Sequence, residues 1–306
     1  VGSGFMKKLL GIVVLGLLFS SEVYAASQFD KDLKKVSKNS SFIDRKGKAY
    51  AVEKITDKKN TILIIYTHGS DYDQKIDKCL AGENKVPPVI RNLHDQKIKK
   101  FSIKIYRLCS GVRGWSEKEQ NKMWKAYEKS GTLDLSLSDK KGNFLIKKQK
   151  QNQKLKIIKE KIDSFAEQGF GNIVLAGHSS GGWQSFKIKT NFPELIDGVI
   201  GLQPGAGGTV KNRKEWPWWE DIRYYGFGNT SKLNAIIITH DKDEFNAPKD
   251  YLLFSNSSNV KFVNLTKSDC KPNHKEGGYH AIALHKCYAA LDLKNNDIIK
   301  YIESLF

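Results

Sequence analysis

The residues best suited to do chemistry in this chain are Gly177-His178-Ser179-Ser180-Gly181-Gly182. They stand between a short apolar, β-branched run, Asn172-Ile173-Val174-Leu175-Ala176, and a segment over 181–190 that reads as a helix. A serine held in a tight strand-to-helix turn must adopt strained backbone angles. Small neighbours keep other atoms clear of it, and the turn lifts its hydroxyl above the sheet edge, beside the positive end of the helix. That is the setting of a serine nucleophile. A glycine-rich hexapeptide alone is weak evidence; the strand before it and the helix after it give it force against the plainer reading of a tight turn.

A nucleophilic serine needs a base, and the chain has seven histidines: His68, His94, His178, His240, His274, His280 and His285. His178 lies inside the turn itself, and His68 and His240 end apolar runs. His280 sits in Gly277-Gly278-Tyr279-His280, a loop after the last strand and before a C-terminal helix. A base must reach the serine from such a loop at the C-terminal edge of the sheet, so His280 is favoured, with His274 next and His285 on the helix. A carboxylate must then fix the tautomer of the base and stabilise its charged form. Asp241 and Asp243 both follow the run Ala235–Thr239, and Asp243, one step further into the loop, is the better placed. Two amide donors for a developing oxyanion are expected from Ser180, directly after the nucleophile, and from Ser70, after Thr67-His68-Gly69. The plainer reading of His68-Gly69 is a strand end. No metal ion and no cofactor is implied.

These residues need a scaffold. Thr61–Tyr66 is continuously apolar and β-branched, as a strand covered on both faces requires. Phe101–Leu108, 172–176, 197–202, 235–239 and 260–265 read as further strands, and an edge strand is expected near 49–55. Helical spacing appears at 116–129, at 181–190, and strongly at 149–168, where Leu155, Ile158, Ile162 and Phe165 share a face. Two more helices are expected at 281–291 and 297–305. Alternating strands and helices predict a mostly parallel central sheet with helices on both faces, in one domain over 49–306. Residues 26–48 read as a polar arm.

Met6-Lys7-Lys8, the apolar run Leu9–Phe19 and the ending Val23-Tyr24-Ala25 have the layout of a signal peptide over residues 1–25, with Val1–Phe5 set aside. The run is about half of what would span a bilayer. Export, to the periplasm or beyond, makes disulfides natural. Among the three connectivities of four cysteines, Cys79–Cys109 and Cys270–Cys287 close the modest loops; four reduced thiols are the alternative. Formal net charge is +18, and loss of Lys7, Lys8 and Glu22 leaves +17. Such charge attracts anionic surfaces, yet the lysines are spread along the chain without interleaved stacking aromatics, so no specific nucleic-acid partner is expected.

The order Ser179, Asp243, His280 and the early His68-Gly69 resemble the α/β-hydrolase superfamily over roughly 49–306, and within it the lipases, esterases and dienelactone-hydrolase-like members. Asp243 with Ala247-Pro248 is similar to the acid loop of secreted cutinase-like esterases, with a slightly different spacing. Cys79, the stretch Cys109–Trp115 and the long basic helix have no counterpart in that pattern. The resemblance implies hydrolysis of a carboxylic ester, small or polymeric, through an acyl-enzyme. A peptidase or amidase on the same machinery is the nearest rival, and a non-catalytic binding protein on the same scaffold is the rival from another class. A small lid insertion is expected near 204–230, where Trp216, Trp218 and Trp219, with Trp183 from the helix after the serine, are candidates for a substrate wall.

Overall fold

The computed structural model describes residues 38–69, 79–80, 85–109, 125, 143–215, 218–246, 248–274 and 277–306. Its frame is one sheet with nine strands among the described residues. In chain order these are β1 (Ser41–Ile43), β2 (Ala49–Tyr50), β3 (Thr61–Thr67), β4 (Lys97–Ile98), β5 (Phe101–Leu108), β6 (Asn172–His178), β7 (Gly198–Leu202), β8 (Ala235–Thr239) and β9 (Val260–Asn264). The spatial order is β2-β1-β5-β3-β6-β7-β8-β9, with β4 beside β5. From β5 to β9 every neighbouring pair is parallel, while β1, β2 and β4 pair antiparallel.

Parallel strands need crossover connections, and helices supply them on both faces. Alternate side chains divide accordingly. Ile62, Ile64 and Tyr66 of β3 join the core with helices α6 (Lys286–Asn295) and α7 (Asp297–Glu303) and the short α1 (Pro88–Arg91). Leu63 and Ile65 face the other core, shared with α2 (Asn143–Glu167) and α3 (Ser180–Asn191). The expected parallel sheet covered on both faces is what forms.

The chain moves from β3 outward to β5 and then returns past β3 to β6. This reversal opens a crevice at the carboxyl ends of β3 and β6, where open α/β sheets bind ligands. Thr67 and His178 end those two strands, which places His68-Gly69 and Ser179 side by side across the crevice.

Some boundaries differ from the sequence reading. The polar arm contains β1, whose Phe42 pairs with Tyr50 and Tyr106 and is buried against the rings of Tyr106, Phe165 and Phe170. Three residues are too few to show a period of two, so this strand has no signal of its own. The edge strand expected near 49–55 is only two residues long and passes into a 3₁₀ turn at Val52–Lys54. The helix read over 281–291 begins at Lys286, because Tyr279–Leu284 is a 3₁₀ turn with His280 to Leu284 all buried. The helix read at 116–129 lies outside the described residues, apart from Lys125.

Candidate active site

β6 ends in the turn that carries Ser179, whose φ is 50° and ψ −125°. That conformation is foreign to a residue with a side chain and persists only where its surroundings over-determine it. They do so here. Ser179 N–H donates to Leu202 O at 3.2 Å, and its carbonyl accepts from Trp183 N–H and Gly205 N–H, both at 3.0 Å. The flanking glycines are required by space. A Cβ on Gly177 would stand 2.5 Å from the Gly181 carbonyl carbon, and one on Gly181 would stand 2.3 Å from Thr67 O. Ser180 opens α3, so its amide belongs to the first turn, where N–H groups have no partner within the helix.

Ser179, His280 and Gly69 line one cavity of about 300 Å³, together with His178, Gly205 to Gly208, Trp219, Glu244, Phe245 and Gly277. The wall from Gly205 to Gly208 is almost bare backbone. His280 is buried and its Nδ1 lies 2.9 Å from both carboxylate oxygens of Asp243, which is also buried. A carboxylate can only accept, so Nδ1 carries the hydrogen and Nε2 keeps its lone pair for a hydroxyl. Asp243 is fixed in turn by Phe245 N–H at 2.9 Å and Asn246 N–H at 3.3 Å. Asp241 is exposed and bound to Asn264 Nδ2 at 2.8 Å, away from this pair. His274 is exposed as well. The structure therefore brings Asp243 to His280 and brings neither Asp241 nor His274.

Three residues that hold the histidine loop carry no signal in the sequence. Gln203 leaves β7 with φ 46°, donates through Nε2 to Tyr279 O, and accepts Ala283 N–H at 3.0 Å. It thus grips the chain on both sides of His280. His178 Nε2 donates to His280 O at 2.8 Å; burial holds this imidazole near a pKa of about 3, so it is a neutral strut. The ring of Phe245 lies 4.4 Å from that of His280, centroid to centroid. The Cys270–Cys287 disulfide closes the segment that carries His280, and Cys79–Cys109 ties the segment after β3 to the end of β5. Both expected pairings form.

The substrate-wall tryptophans separate. Trp219 lines the cavity. Trp218 begins α5 (Trp218–Tyr224), and Trp216 lies outside the described residues, as does Ser70. Trp183 is not at the wall: it is wholly buried, donates Nε1–H to Arg223 O at 2.7 Å, and packs under the Arg223 guanidinium. Arg223 carries the insertion instead, donating to Ala206 O at 2.8 Å. The insertion near 204–230 contains α4 (Val210–Glu215) and α5, and Arg213 pins it down. Its guanidinium bonds Asp250 at 2.8 Å, Glu220 at 3.0 Å and the Phe245 carbonyl at 2.7 Å. Among the described residues no group of His, Cys, Asp and Glu is arranged to hold a metal ion.

The sheet order, the crevice at the strand reversal and the strained serine turn make this an α/β-hydrolase fold. No protein-family model matches the chain, and no curated protein matches it. Solved structures similar to it include a protein from the study of the metagenome-derived lipolytic enzymes LipS and LipT, with 10% identity, TM-score 0.44, and 85% of this chain and 96% of that one covered. Est1E from Butyrivibrio proteoclasticus has 12% identity and TM-score 0.44, covering 86% and 93%. A monoacylglycerol lipase from Paleococcus ferrophilus has 11% identity and TM-score 0.43, covering 87% and 98%. The fold assignment rests on the topology and the turn.

Proposed function

We propose that this protein is an exported serine hydrolase that cleaves carboxylic esters through an acyl-enzyme. The observation that carries the reading is the strained Ser179 sharing a cavity with a histidine whose Nδ1 is held by a buried carboxylate. Ser179 Oγ attacks the ester carbonyl as His280 Nε2 takes its proton. Asp243 steadies the imidazolium, and the amides of Ser180 and of the loop after β3, at Gly69 and Ser70, receive the oxyanion. Collapse breaks the bond to the alcohol, which leaves with the proton from His280. Water, activated by the same base, then attacks the acyl-serine and releases the acid.

The cavity suits a small or flexible acyl group. A volume of about 300 Å³ is at the lower end of ligand pockets, and its aromatic side chains are Trp219 and Phe245. Export is supported by the basic-then-apolar leader and by the two disulfides, which persist in oxidising compartments. Among the described residues no helix is long and apolar enough to cross a membrane.

The test is a panel of p-nitrophenyl esters of increasing acyl length beside aminoacyl anilides, with a fluorophosphonate probe. Short-chain ester turnover and probe labelling at Ser179 are expected, and Ser179→Ala should lose several orders of magnitude in kcat while keeping its melting temperature within a few degrees. An anilide preference would move the assignment to an amidase. Absence of both turnover and labelling in wild type would leave only a binding protein on a hydrolase scaffold.

A further inference from the structure

Helix α2 buries a stripe that changes character along its length. Ile157, Ile158, Ile162 and Phe165 are apolar and pack under the sheet, whereas Lys150, Gln151 and Lys154, nearer the helix start, are buried and polar. The helix runs down to β6, so its start lies by the carboxyl ends of the strands, level with the crevice. Lysine is among the residues least often buried, and a buried ammonium must find strong acceptors. Lys154 Nζ donates to His68 O at 2.7 Å and to Gly69 O at 3.0 Å. These carbonyls follow β3 in the loop that supplies an oxyanion donor, and Gly69 lines the cavity beside Ser179.

We propose that Lys154 is a positioning residue for the oxyanion: by holding the His68 and Gly69 carbonyls, it fixes the peptide planes at the start of the loop that the proposed mechanism uses for an oxyanion donor. The geometry follows from the peptide bond. A trans peptide directs its N–H opposite to its C=O, so holding a carbonyl in place also fixes the direction of the amide that follows it. Backbone freedom at Gly69 is otherwise large, and an unheld loop could present a carbonyl oxygen to the cavity, which would repel the oxyanion. Two further contacts hold the same peptides. His68 Nδ1 lies 2.9 Å from Gly69 O, and burial together with the Lys154 charge holds that imidazole neutral, near a pKa of about 3. Gly181 of the serine turn packs against His68 O so closely that a Cβ there would stand 2.4 Å away. The His68 carbonyl is therefore enclosed between the turn and the ammonium.

The ammonium is also a fixed positive charge beside that loop, so its field favours the negatively charged transition state over the neutral ester. The effect belongs to kcat. This inference rests on the acyl-transfer reading, and the experiment separates the two. Steady-state hydrolysis of p-nitrophenyl acetate is measured for wild type, Lys154→Met and Lys154→Gln, with melting curves and fluorophosphonate labelling of each. The expected result for Lys154→Met is a fall in kcat of roughly a hundredfold, the size of losing one oxyanion donor. Its KM should stay within threefold, and the acidic limb of the kcat/KM profile, set by the base, should be unmoved. Lys154→Gln still donates to a carbonyl without the charge, covers the case in which the methionine variant fails to fold, and should lose about tenfold in kcat. Folded variants with wild-type kcat, or losses carried by KM, would overturn the role of Lys154 and leave the serine mechanism standing. A wild type with neither turnover nor labelling would overturn both.

Discussion

The two sides of the serine are held by different means. On the base side, His280 is fixed by neutral contacts in numbers: the Gln203 amide, the His178 imidazole, the Phe245 ring and the Cys270–Cys287 closure, with Asp243 as the one charge. On the oxyanion side, the described contacts of His68 and Gly69 come down to one ammonium, a neutral imidazole and the Gly181 approach. In the proposed reaction the base carries a proton back and forth within one turnover, and several weak neutral contacts fix a ring without fixing its charge. In the same proposal the loop after β3 has one task, to present amides to negative charge, and one fixed cation suits it. The lesson is that a buried charge can be structural where the chemistry always asks for the same sign.

The largest effect that tests this contrast is on the base side. His280→Ala should lower kcat almost as far as loss of the serine, and Asp243→Asn by roughly 10³- to 10⁴-fold, since an amide no longer fixes the right tautomer. Asp241→Asn should stay within about threefold in the same ester assay. A loss at Asp241 exceeding that at Asp243 would mean that the acid has been misplaced. Gln203→Leu should fall between, at roughly tenfold, because it loosens a loop that other contacts still hold.

A smaller effect comes from the disulfides. By chain entropy, loops of the sizes closed by Cys270–Cys287 and Cys79–Cys109, with sequence separations of 17 and 30, each contribute roughly 3 to 4 kcal/mol. Reduction should lower the melting temperature, and the Cys270–Ser, Cys287–Ser double variant should lose activity at a lower temperature than it loses its far-ultraviolet signal, as the His280 segment opens first. Coincident losses would show that the bridge only stabilises the whole.

The smallest effect on turnover is expected at Lys187, another buried lysine, on α3. Its ammonium bonds Gln151 Oε1 at 2.7 Å rather than the His68 and Gly69 carbonyls, so it serves as the control for Lys154. Burial, with Arg223 nearby, lowers its pKa to about 7, whereas an unfolded lysine keeps its proton to about 10.4. Between those values the unfolded chain binds more protons, so this group makes stability rise with pH from about 7 to about 10. Below 7 it is charged in both states and adds no slope. Lys187→Met should flatten that rise in denaturant titrations and leave kcat within about twofold. A large kcat loss would say that any buried charge on these helices matters, and the contrast drawn from Lys154 would weaken.

Much of this site is legible in the sequence, and the legible part has a common cause. β3, β6, β7 and β8 are buried along nearly their whole length, so each is written as an unbroken apolar run. The first few residues past each run then fall at the crevice, which is how Ser179, Asp243 and His68-Gly69 are found. His280 follows from its place in a glycine loop after the last strand. What is not legible depends on distance across the fold. Lys154 lies 86 residues from His68, and a lysine on a basic helix looks like solvated surface until its partners are known. Gln203 looks like an ordinary loop residue, and only its positive φ and its two backbone partners reveal the grip on His280. Trp183 misleads for a related reason: α3 is buried at every position from Ser180 to Thr190, so its periodicity carries no inside–outside signal.

Ser179 keeps its backbone at φ 50° and ψ −125°, a region that glycine enters freely and that costs other residues about 1 to 3 kcal/mol. Glycine at this position would relieve the strain and remove the nucleophile in one step. On the proposed mechanism the site is thus subject to two opposed selective pressures, one for durability and one for turnover. A library of this protein sorted on thermal survival alone would enrich sturdier, silent molecules at residue 179, so directed evolution toward heat tolerance has to be scored on product formed.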